Sequence, residues 1–76
     1  MKTRHEYIVR VLATENNILR LQIRLGSKDL KVKTLRGDEF FLSFLQAGRS
    51  YSLYSSERLE AATTNHTDHI VSMISI

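Results

Sequence analysis

Apolar and polar residues alternate along much of this chain with the period of a β-strand. The clearest stretch is Asn17-Ile18-Leu19-Arg20-Leu21-Gln22-Ile23-Arg24-Leu25, the polar break Gly26-Ser27-Lys28-Asp29, then Leu30-Lys31-Val32-Lys33-Thr34-Leu35-Arg36. Successive strand side chains point to opposite faces, so 17–36 reads as a hairpin with one apolar and one basic face. Glu6 to Leu12 is rich in β-branched and aromatic residues and predicts a preceding strand. Asn16 and Asn17 suit the tight turn between them, because asparagine tolerates left-handed backbone. Gly37 and Asp38 mark the next turn. Further strands are predicted at Glu39–Leu45, Ser50–Tyr54 and His69–Ile76. Between the last two, Ser55 to Ala62 breaks the alternation and predicts one helical turn capped by Ser55 or Ser56.

These elements predict an all-β domain: five or six short antiparallel strands in a small barrel or curled sheet, sequential neighbours paired, with a short helical turn before the last strand. The expected inward set is Val9, Val11, Leu19, Leu21, Ile23, Leu25, Leu30, Val32, Phe40, Leu42, Phe44, Tyr51, Leu53, Ile70 and Ile74. The last strand has apolar residues on both faces, which suits double burial or an edge that pairs with another copy.

Register follows from the turns. A four-residue loop at 26–29 sets Leu25 opposite Leu30, Ile23 opposite Val32, Arg24 opposite Lys31 and Gln22 opposite Lys33. A three-residue loop at 36–38 then sets Val32 opposite Leu42, Leu30 opposite Phe44 and, on the outside, Lys33 opposite Phe41. Like charges opposed on a sheet repel unless water, salt or a bound anion screens them.

Charge sharpens this picture. The chain has 76 residues and net charge +3. Residues 17–36 hold six Lys and Arg against Asp29 alone, which makes +5, whereas 1–16 sum to +1 and 37–76 to −3. Cations beside an exposed aromatic hold single-stranded nucleic acid, since phosphates meet charge and bases stack on rings. The candidate site is therefore Arg20, Arg24, Lys31, Lys33 and Phe41, with RNA or single-stranded DNA as the partner. The alternative is a protein-interaction module, small inhibitor or adaptor, in which the basic hairpin and acidic C-terminal half dock head-to-tail into a homo-oligomeric ring.

Size and composition narrow the classes. A chain this short buries only ~60% of its unfolded surface, so it makes one domain and gains from dense packing or self-association. Absence of cysteine removes disulfides and thiolate metal sites and fits a reducing cytoplasm. No apolar run reaches the ~18 residues of a membrane-spanning helix, and the basic start runs into Glu6 rather than a signal-like apolar stretch. His66 and His69 flank Asp68 but lack a third strong ligand nearby, and His5 is distant, so no metal or cofactor is expected. Ser55, Ser56 and Ser72 have no nucleophile elbow, Glu57 and Glu60 flank Arg58 as on a solvated turn, and the glycines are too scattered for a phosphate loop; no catalytic residue is expected. Arg36-Gly37-Asp38 reads as a turn, and Asn65-His66-Thr67 as a chance glycosylation match. Tyr51 is expected inside, with Tyr54 at a rim.

The strand-then-turn Arg49-Ser-Tyr-Ser-Leu-Tyr-Ser-Ser-Glu-Arg-Leu-Glu-Ala61, placed before a final strand, is similar to the corresponding part of SH3-like and Sm-like small barrels. The likeness covers about half the chain. It implies a small barrel of SH3-like or OB-like type and assigns no functional residue.

Overall fold

The computed structural model describes residues 4–24, 30–60 and 65–76. Five strands form one antiparallel, curled sheet that does not close into a barrel: β1 (His5–Glu15), β2 (Ile18–Arg24), β3 (Leu30–Arg36), β4 (Ser50–Ser55) and β5 (Ile70–Ser75), in the order β3-β2-β1-β4-β5. A short helix α1 (Glu39–Leu42) lies between β3 and β4, and a 3₁₀ turn (Thr67–His69) precedes β5.

The predicted alternation builds the centre. Val9 and Val11 of β1, Leu19, Leu21 and Ile23 of β2, and Tyr51 and Leu53 of β4 all point to one face and are buried. Asn16 takes φ 54° in the two-residue turn that sets Glu15 opposite Ile18. The β1–β2 register shifts between Val11 and Ala13, leaving Leu12 as a bulge residue.

Two expectations for the strands fail. The stretch 39–45 is not a strand. Its apolar residues cluster without strict alternation, a pattern that serves a helix as well as a strand. Asp38 and Glu39 sit at the helix start, where acids are favoured. The helix buries Leu42, and Phe41 and Leu45 pack against the core, while Phe40 and Phe44 meet edge-to-face at 5.0 Å in the open. Because no strand forms here, β3 is a sheet edge, and β4 pairs with β1 instead. The expected pairs Val32–Leu42, Leu30–Phe44 and Lys33–Phe41 do not exist.

The second failure is a one-residue slip. The structure pairs Leu19 with Leu35, Leu21 with Lys33, Ile23 with Lys31, Gln22 with Val32 and Arg24 with Leu30. Leu35 is fully buried opposite Leu19, and beyond it Gly37 N–H donates to Asn17 O at 2.9 Å. This end fixes the register, and every β3 side chain takes the face opposite to the one expected. Leu30 and Val32, expected inside, are 55% and 59% exposed. Phe40, Phe44 and Ile74 are also exposed, and Ile70 is half-buried. Leu25 and the 26–29 loop lie outside the described residues.

The covered face is closed by α1 and by the 56–60 segment, whose Leu59 is fully buried. Tyr7 and Leu35 join that core. Leu59 N–H donates to Tyr7 Oη at 3.1 Å, and Tyr7 Oη donates to Glu60. The Ser55 side chain ties the turn after β4, accepting from Glu57 N–H at 3.1 Å and donating to Glu57 O at 2.6 Å. Residues 55–60 form no helical turn, so the helical element falls at Thr67–His69; 61–62 lie outside the described residues. No helix among the described residues is long and apolar enough to cross a membrane.

Candidate functional site

The second face of the sheet carries no covering element among the described residues. Paired residues share a face, so the ladders define its rows. Val32, Gln22, Arg10 and Ser50 form one row across β3, β2, β1 and β4. Leu30 and Arg24 begin the next, which continues through Ile8, Ser52 and Ile74. Arg20 stands beside Ala13, and Arg36 beside Ile18.

This open face divides the expected site. Arg20 and Arg24 project from it, exposed, together with Arg10. Lys31 and Lys33 leave it for the covered side, where they lie opposite Ile23 and Leu21. Lys33 is half-buried; burial first, and then the Lys31 charge, holds its pKa below the ordinary lysine range. Phe41 belongs to α1 and is half-buried against the core, so it offers no stacking surface to the open face. The five expected residues therefore do not converge. The missed residue is Arg10, although its position between inward Val9 and Val11 already turns it outward.

A shallow groove of about 340 Å³ crosses the face between Arg10 and Arg24, lined also by Ile8, Gln22, Leu30 and Ser50. Arg20 borders a second depression of about 200 Å³ with Ala13, Glu15 and Ile18. Among the described residues, Arg10, Arg20 and Arg24 form no ion pair with a carboxylate. Glu6, opposite Tyr54, is engaged by the hydroxyls of Ser52 at 3.1 Å and Tyr54 at 3.2 Å. Two residues along a strand span ~7 Å, so these guanidinium groups are carried on a small area of two adjacent strands.

Elsewhere the chemistry is sparse. His66 approaches Asp68 at 3.6 Å, with both side chains exposed. Among the described residues no three His, Cys, Asp or Glu side chains gather as a metal site. No protein-family model, curated protein or solved structure matches the chain.

Proposed function

We propose that this chain is a small non-enzymatic binding module of the cytoplasm whose open sheet face holds RNA or single-stranded DNA. The supporting observation is the set Arg10, Arg20 and Arg24 on one face, without carboxylate partners among the described residues. A guanidinium group pairs phosphate oxygens bidentately, and its plane also stacks on a base. With Phe41 turned to the core, arginine takes both roles. Ile8 and Leu30 give the groove an apolar floor for a sugar or base.

Titration of a short fluorescent oligonucleotide at several salt concentrations tests the reading. Three phosphate contacts on a single strand give a slope of about −2 in log K against log salt. No binding at low salt, or binding indifferent to salt, rejects it.

A second reading has its own support. Ile8, Leu30 and Val32 are about half exposed beside the arginines, and an acidic protein with apolar anchors would cover both kinds of residue. A partner recovered unchanged after nuclease treatment, with no oligonucleotide binding, would favour it.

A further inference from the structure

The two edges of the sheet differ in chemistry. β3 carries Lys31, Lys33 and Arg36, and its outer side is already used at one end. There Arg36 N–H donates to Asn65 O at 2.8 Å, and Arg36 bridges His66 in parallel. Charges and a covering segment are the usual means of keeping a strand edge from pairing with another chain. β5 has neither. Ile70 to Ile76 reads Ile-Val-Ser-Met-Ile-Ser-Ile, with no charge, proline or glycine.

The hydrogen bonds show which β5 groups face outward. Ile76 N–H donates to Ser50 O at 3.1 Å. Bonded and non-bonded pairs alternate along an antiparallel ladder. Ile74 and Ser72 therefore turn their backbone groups toward Ser52 and Tyr54, whereas Met73 and Ser75 turn theirs to the open edge. The register shift between Tyr54 and Ser55 limits the regular part of this edge to 72–76.

We propose that β5 pairs antiparallel with β5 of a second copy of this chain, about a two-fold axis at Ile74. Met73 then exchanges both hydrogen bonds with the partner's Ser75. Ile74 stands opposite the partner's Ile74, in the non-bonded position where side chains approach most closely. Ser72 meets the partner's Ile76.

An uncharged edge strand suits a second copy as its occupant. A two-fold axis sets each nearby side chain against its own counterpart or a near neighbour, so any charge there would meet its like. A strand without charge meets that condition, and Ile74, 58% exposed in the single chain, is covered by its twin. Ile74 also lies on the open face, so pairing places the arginine rows of two copies on one continuous sheet.

Sedimentation equilibrium of the full chain over a wide concentration range tests the proposal, with circular dichroism to verify folding. The expected result is a monomer–dimer equilibrium. Ser75→Pro removes one outward N–H per copy, leaves the β4 ladder intact, and weakens the dimer ~10-fold or more. Ile74→Lys and Ile74→Glu are each monomeric alone, and mixing them restores a dimer by opposing unlike charges. A wild-type chain that stays monomeric throughout overturns the proposal. So does a dimer whose strength is unchanged by Ser75→Pro and by both Ile74 variants.

Discussion

Thr67 packs its side chain into the space that a Cβ on Gly37 would need. Such a Cβ would stand 2.8 Å from Thr67 Cγ2 and 3.1 Å from Thr67 Cβ. The contact joins the end of β3 to the 3₁₀ turn that leads into β5. Thr67 is buried, and Gly37 N–H is committed to Asn17 O, so neither side is free to move away.

Gly37→Ala is therefore expected to destabilise the fold by ~1–3 kcal/mol through overpacking. Adding Thr67→Ala removes the clashing atoms, and the double variant should lose less than the two single losses added together. Urea unfolding of the four proteins gives the coupling energy directly. Additive losses would show that the two positions do not share this space.

Tyr7 is the second support of the covered face. Its hydroxyl accepts from buried Leu59 N–H and donates to Glu60. Tyr7→Phe leaves that N–H without its partner and should cost ~1–3 kcal/mol. The pair also predicts a pH dependence. Burial first, and then the Glu60 hydrogen bond, pushes the Tyr7 hydroxyl above its ordinary range. The Tyr7 hydrogen bond first holds Glu60 below the carboxylate range. Stability from Glu60 is present above the unfolded carboxylate pKa and is lost as pH falls through the lower folded value. Stability from Tyr7 is present below the unfolded pKa of ~10 and is lost as pH rises through the higher folded value. The difference in unfolding free energy between wild type and Tyr7→Phe should be level from about pH 5 to 9 and shrink on both sides. A difference that does not vary with pH would separate Tyr7 from Glu60.

Alternation made β1, β2 and β4 legible, because each buries one face only and its period holds, in β1 as far as the Leu12 bulge. β3 was ambiguous for a physical reason. Leu30 and Val32 ask for one face, and Leu35, at opposite parity, asks for the other. Leu35 decides because it is buried opposite Leu19, next to the turn where Gly37 bonds Asn17 and packs on Thr67. The 39–45 segment was unreadable by period alone, since two faces of a half-buried helix and a buried strand use the same residue types. The register is testable by size deletion. Leu35→Ala should cost ~2–5 kcal/mol, whereas Val32→Ala should stay within about 0.5 kcal/mol. In the register expected from the loop lengths, those magnitudes would be exchanged.

The slip also reassigns the cations, and this separates the arginine face from the simple charge of the hairpin. Arg24 and Lys33 each contribute one positive charge, on adjacent strands in a segment of net +5. If long-range attraction to the whole hairpin governed nucleic-acid binding, Arg24→Ala and Lys33→Ala would weaken it alike, because each removes one unit of charge. Binding on the open face predicts a split. Arg24→Ala and Arg10→Ala should each reduce affinity and lower the salt slope by about 0.7, the value for one phosphate contact on a single strand. Lys33→Ala lies on the covered side opposite Leu21 and should leave the slope unchanged. Anisotropy titrations of the three variants at matched salt series distinguish the outcomes. Equal loss from all three would return the effect to general electrostatics and remove the open face as a site.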